Sequence, residues 1–154
     1  MYNFIDVPIF DKDEFIKWYH SPENTRAPGR TCLTGVARME KGTHWSESGV
    51  ESSKGCGTAM RAAPIGYLYQ HDPEKLREVA HATGICTHGH PAADAACIGA
   101  AYLVKLALDR IEPEGMIPAL LSFTEGISSE FDEANELSPQ QAAGYHVGFT
   151  TLRR

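Results

Sequence analysis

The run from Pro91 to Asp109 or Arg110 constrains this chain more than any other stretch. It reads as the longest helix, and Ala92, Ala95, Ala96, Gly99, Ala100, Leu103 and Leu106 allow close helix packing along it. The alternation expected of a half-buried strand is nearly absent after residue 10, and there is no internal repeat and no heptad run. The expected fold class is all-α. At 154 residues the chain fits one domain, residues 1–154, long enough for a real core.

Helix starts are marked by capping chemistry. Asp72-Pro73-Glu74 places Asp at the N-cap, Pro at the first helical position and an acid in the first turn, which predicts a helix to about Thr83 with Leu76, Val79, Ala80 and Thr83 inward. Asp11 predicts a short helix through about Tyr19 whose apolar face holds Phe15, Ile16, Trp18 and Tyr19. Thr31 or Thr34 starts a helix carrying Cys32, Leu33, Val36 and Met39. Gly57 to Tyr69 is expected to be a helix bent at Pro64, because proline removes a donor and clashes one turn back. Gly115 to Phe123 is a further short helix, and Ser138-Pro139 reads as a last helix start. Residues 1–10 form a strand or an irregular lead-in, and 146–154 show no clear period. Lys41 to Ser53, with Gly42, Gly49 and four serines, reads as a mobile surface loop.

Hydrophobic content of 42% and charged content of 22% are ordinary for a soluble globular protein. A formal charge of −6 argues against non-specific nucleic-acid binding, which wants a basic face. No apolar run approaches the ~20 residues needed to span a bilayer, so no membrane role is expected. The four cysteines are Cys32, Cys56, Cys86 and Cys97. Met1 to Asp13 lacks the basic and apolar regions of a signal peptide, so the expectation is a reduced, cytoplasmic protein.

Two polar junctions carry what chemistry the chain offers. Ser52 to Gly66 is a small-residue loop feeding an apolar segment, and Cys86-Thr87-His88-Gly89-His90-Pro91 is a histidine-bearing turn before the long helix. Each opens a helix, and helix amino ends present unpaired N–H groups that suit an anionic ligand. On composition alone the first junction is a glycine-rich turn before a core helix. It is not a P-loop, since no Gly-Lys-Ser/Thr follows a strand, nor a dinucleotide fingerprint. Its glycines permit close backbone approach of a ligand, with the Ser53 and Thr58 hydroxyls adding donors. Cys86, His88 and His90 are zinc-ligand types, but three such residues in one tight turn do not close a tetrahedron without a second pair elsewhere. The better reading has His88 donating to a ligand and His90 structural. Cys32 and Cys97 read as small core hydrophobes. Asp11 and Asp13 read as a charged helix start, and the acids from Glu125 to Glu136 as a solvated loop.

Three segments carry a resemblance: Arg26-Ala27-Pro28-Gly29-Arg30-Thr31-Cys32-Leu33, Lys54-Gly55-Cys56-Gly57-Thr58-Ala59-Met60-Arg61-Ala62-Ala63-Pro64-Ile65-Gly66 and Thr87-His88-Gly89-His90-Pro91. In order and separation they resemble the middle of the ADP-ribosylglycohydrolases, over roughly residues 14–110. The resemblance implies an orthogonal helical bundle. It also implies hydrolysis of the glycosidic bond at C1″ of ADP-ribose, on an ADP-ribosylated protein or related conjugate, assisted by two magnesium ions. It places Ser53, Lys54, Gly55, Cys56 and Gly57 along the ADP-ribose site and has His88 reach the same ligand. Cys56 stands where that family often has Asn, so no side-chain contact is carried over there.

The family's magnesium ligands come from an N-terminal T-D-D-T-type segment and a C-terminal D-x-D-[ST] segment, and neither occurs in this chain. Magnesium wants oxygen ligands, mostly carboxylates, to position the attacking water. The expectation is therefore the central part of such an enzyme, holding no metal by itself and not a competent hydrolase alone. The alternative is a helical module that binds ADP-ribose without catalysis. A structural or interaction domain, exposing apolar surface that self-associates or meets the remainder of the fold, is the third reading.

Overall fold

The computed structural model describes residues 11–25 and 27–136. The expectations for residues 1–10, for the helix start at Ser138 and for the tail lie outside the described residues. Seven α-helices are described: α1 Lys12–His20, α2 Arg30–Glu40, α3 Ala63–Leu68, α4 Pro73–Ile85, α5 Pro91–Leu108, α6 Pro113–Thr124 and α7 Ser129–Glu136. Short 3-10 turns occur at Trp45–Glu47 and Ala59–Arg61. Among the described residues there is no sheet, only one isolated parallel bridge between Val50 and His88, so the fold is all-α.

Helix α5 is the axis. Ile98, Cys97 and Ala101 pack with Ala62 and Ile65 from the α3 side and with Leu76, Val79 and Ala80 of α4 in one buried cluster. On another side Ala95 and Ala96 receive Phe131 of α7. The helices sit close because glycines stand where they cross: a Cβ on Gly66 would lie 2.2 Å from the Ala101 carbonyl oxygen, and one on Gly99 would lie 2.9 Å from Leu120 Cδ1. With 18 residues and a mean hydropathy of 1.4, α5 matches a membrane span by length and composition, but it is the core helix that α3, α4, α6 and α7 surround. A second cluster joins Val36 and Met39 of α2 to Cys86, covered by Phe15, Ile16 and Tyr19 of α1. Trp18, expected on that face, is 38% exposed instead.

Several expected elements are corrected. Pro64 does not bend a helix: it occupies the first turn of α3, where its missing N–H costs nothing, and the chain before it is the 3-10 turn. Helix α2 starts at Arg30 behind Gly29, not at Thr31 or Thr34, whose hydroxyls pair with Ser53 Oγ and the Arg30 carbonyl. The acids after Glu125 are not all loop, because the apolar Phe131 docks α7 against α5. The span 41–53 is pinned rather than loose. Ser48 is fully buried and its hydroxyl reaches the Cys86 carbonyl at 2.7 Å, while Arg38 donates to the Gly49 carbonyl at 2.8 Å.

Replacing Gly66 by Ala should therefore force α3 off α5 and lower stability by about 3 kcal/mol. Gly29→Ala, where a Cβ would meet nothing within 4 Å, should cost no more than about 1 kcal/mol. Thermal melts of both variants against the parent check this pair.

Candidate functional site

The two junctions flagged in the sequence meet, bringing Gly57 beside His88, 31 positions further along the chain. Val50 N–H donates to the Thr87 carbonyl at 2.9 Å and Gly89 N–H donates to the Val50 carbonyl at 3.0 Å, so the pinned 41–53 segment holds the histidine turn beside the glycine turn. The His88 ring lies against the glycines: a Cβ on Gly57 would be 2.9 Å from His88 Cε1, and one on Gly55 would be 3.2 Å from Nε2. The ring leaves no room for a side chain at Gly57 without a shift and only a tight fit at Gly55. Gly55 is exposed while His88 is buried, so the corner opens to solvent over the glycines.

Backbone donors are available there. Among the described residues nothing accepts a hydrogen bond from the amides of Lys54, Gly55, Cys56 or Gly57, whereas Ser53 N–H is taken by the Val50 carbonyl. Amides without an intramolecular acceptor can donate to a bound anion. Of the helix amino ends expected to serve this purpose, that of α5 is capped by the protein itself, since the His90 ring accepts from Ala92 N–H, whereas α3 has no side-chain cap. His90 is thus a capping residue.

Of the six residues singled out, Ser53, Gly55, Gly57 and His88 come together. Ser53 Oγ lies 3.5 Å from the Gly55 Cβ position and bonds Thr31 Oγ1 at 3.1 Å. The other two send their side chains elsewhere. Lys54 Nζ pairs with Glu130 of α7 at 2.7 Å, and Cys56 Sγ contacts Met60 Sδ at 3.9 Å. Thr58, expected to add a donor hydroxyl, is fully buried and donates to the Ala93 carbonyl at 3.0 Å. Cys97 is a core residue, but Cys32 is not: it is partly exposed, with its sulfur 3.2 Å from the Gly57 Cβ position and 3.6 Å from the Arg61 guanidinium.

Arg61 is the residue that sequence reasoning missed. From the 3-10 turn it donates to the Gly57 carbonyl at 3.3 Å, the Thr83 carbonyl at 2.5 Å and Thr87 Oγ1 at 2.6 Å, and it stands over the Phe15 ring at 5.5 Å. The one signal for it was a long cation set among small residues in a stretch that had to pack closely.

The described residues do not fit magnesium. None of their His, Cys, Asp and Glu side chains gather in groups of three or more able to hold a metal, and the corner offers amides, hydroxyls and an imidazole where magnesium wants carboxylates. A cleft of about 1020 Å³ lies apart from all six residues, lined by Asp72, Arg77, His81, Asp94, Phe123 and Glu125 among others. Its carboxylates make it a poor host for a phosphate, and its cations are already engaged: Lys75 with Glu78, and Arg77 with the Phe123 carbonyl.

A family model described as ADP-ribosylglycohydrolase matches residues 6–150 and so spans the whole corner. An uncharacterised protein of Archaeoglobus fulgidus is 27% identical over 141 residues, 87% of this chain and 46% of that protein. The ADP-ribosyl-(dinitrogen reductase) glycohydrolase of Rhodospirillum rubrum is 35% identical over 88 residues, 56% of this chain and 29% of its own length. The chain spans less than half the length of either relative.

Two histidines give the molecule opposed responses to acid. Burial, and then the Arg61 charge, lower the His88 pKa from 6.5 to about 4. The unfolded chain therefore takes a proton at residue 88 that the folded one refuses. Stability is full above about pH 6.5 and falls as pH drops toward 4, by a total on the order of 3 kcal/mol. His81 is the reverse: its hydrogen bond to Asp94 at 2.8 Å raises its pKa against the opposing effect of burial. Its contribution is full below 6.5 and is lost as pH rises through the raised value. Between pH 7 and 5, His81→Gln should lose stability more steeply than the parent and His88→Gln less steeply, as read by urea unfolding at each pH. Equal slopes in all three would contradict the assignment.

Proposed function

This chain belongs to the ADP-ribosylglycohydrolase family, and from that premise we propose that the corner between Gly55–Gly57 and His88 is the ADP-ribose-binding wall of a glycohydrolase acting on ADP-ribosylated protein or a related conjugate. The observation that carries the reading is the seating of the His88 ring on Gly55 and Gly57, beside four successive amides that have no acceptor among the described residues. A diphosphate needs N–H donors and charge to offset its own; the corner offers amides beside the Arg61 guanidinium, and Lys54 neutralises the bordering Glu130. The bond cleaved would be the glycosidic one at ribose C1″. Among the described residues no carboxylate hydrogen-bonds the His88 ring, and Glu130, which borders the corner, is paired with Lys54 at 2.7 Å, so the part assigned to this chain is binding and orientation. Magnesium, which the resemblance implies for such enzymes, enters as a variable of the assay.

That same lack of a carboxylate on the ring supports a second reading, a module that binds ADP-ribose without turnover. Calorimetry with ADP-ribose, with and without magnesium, is the first measurement, and release of ADP-ribose from an ADP-ribosylated protein is the second. Binding with magnesium-dependent release supports the hydrolase, and magnesium-independent binding without release supports the module. No binding at all removes both. Gly57→Ala, whose Cβ would strike the His88 ring, should weaken binding at least about tenfold if the corner is the site.

A further inference from the structure

The hydrogen bonds around Thr87 decide which nitrogen of His88 carries its proton. We infer that Thr87, oriented by Arg61, is a positioning residue that holds His88 as the Nε2–H tautomer and so aims a permanent donor at the opening over Gly55 and Gly57. The inference rests on the ADP-ribose reading only for what the donor is for.

The assignment follows from counting protons. A guanidinium has no acceptor, so at the 2.6 Å contact Arg61 donates and Thr87 Oγ1 accepts. The single hydroxyl proton of Thr87 then has two candidate acceptors: His88 Nδ1 at 2.8 Å and the Gly84 carbonyl at 3.4 Å. The second is long for an O–H···O bond, and that carbonyl already accepts from the backbone N–H of both Thr87, at 3.2 Å, and His88, at 3.1 Å. The hydroxyl therefore donates to Nδ1, which must present its lone pair. In the neutral ring the proton is then on Nε2, the atom that the absent side chains of Gly55 and Gly57 leave uncovered. Burial and the Arg61 charge keep the ring neutral.

The orientation is set from three directions. Arg61 is itself anchored on the Thr83 carbonyl and the Gly57 carbonyl, so it cannot turn away from Thr87 without releasing the end of α4 and the glycine turn. Phosphate and ribose oxygens accept hydrogen bonds. An Nε2–H meets them with a donor, whereas the other tautomer would present a lone pair and repel an anion.

Long-range 15N–1H spectra of the imidazoles test this on the whole chain without ligand. The expected result at neutral pH is a His88 signal pattern with Nδ1 bare and Nε2 protonated. A His88 found as the Nδ1–H tautomer, or doubly protonated, overturns the inference. Thr87→Val removes the hydroxyl at nearly constant shape and should move His88 toward Nδ1–H, while Thr87→Ser should restore the parental pattern. A merely structural threonine would not sort the two variants this way. The parental spectrum keeps the test decisive even if the valine variant fails to fold. In calorimetry with ADP-ribose, Thr87→Val should bind about tenfold more weakly and Thr87→Ser nearly as the parent. Equal affinity in parent and Thr87→Val overturns the positioning role. If the parent itself binds no ADP-ribose, the proposed function falls, and the spectrum still decides the tautomer.

Discussion

The Arg61 guanidinium is where the pieces of this molecule are fastened. It stands on a single 3-10 turn, yet its donors reach the carbonyl of Gly57 behind it, the last turn of α4 at Thr83 and the hydroxyl of Thr87, while its face covers Phe15 of α1. Carbonyls and a hydroxyl rather than carboxylates take the donors of its two terminal nitrogens, while its buried Nε has no hydrogen-bond partner among the described residues. Neutral acceptors leave the positive charge uncompensated. That residual charge helps burial hold the His88 imidazole neutral, and it lies beside a turn whose amides find no acceptor among the described residues. One side chain thus supplies both the architecture and the electrostatics of the corner.

Close approach is the second constraint, and small residues make it possible. Gly35 abuts the Cys86 carbonyl and Thr87 Cα, Gly49 abuts the Ile85 carbonyl, and Gly66 abuts Ala101; a Cβ at any of them would stand well inside contact distance. The first two press α2 and the 41–53 segment onto the stretch that leads into His88. The third presses α3 onto α5. Together they make the histidine turn a buried seam between elements rather than a surface loop. The one parallel bridge of the described residues, Val50 to His88, lies in this seam.

Much of the corner was legible beforehand because its requirements are local. Glycines at 55 and 57 signal a close approach, and both motifs lie within the residues that the family model matches. The two lysine and cysteine side chains of the first motif were not legible, because their direction depends on Glu130 and Met60, contacts that no spacing rule encodes. The 41–53 stretch was misread for a similar reason. Its glycines and serines look like loop composition, but Ser48 spends its hydroxyl on Cys86 and Arg38 spends its donors on the carbonyls of Ser48 and Gly49. Cys32 was misplaced in the core because a helical face was assigned without knowing that a guanidinium would stand against it.

The chain's own residue order determined that this is a helical protein and where α1, α4 and α5 begin. Capping, proline placement and periodicity act within one or two turns, and such signals need no knowledge of distant neighbours. Tertiary structure alone decided that Arg61 and Thr87 govern the imidazole, that the serine-rich segment is a strap and that the acidic run carries a helix. Each depends on partners distant in the chain: Thr87 lies 26 residues from Arg61 and Cys86 lies 38 residues from Ser48, and Phe131 must find an alanine-lined groove on α5.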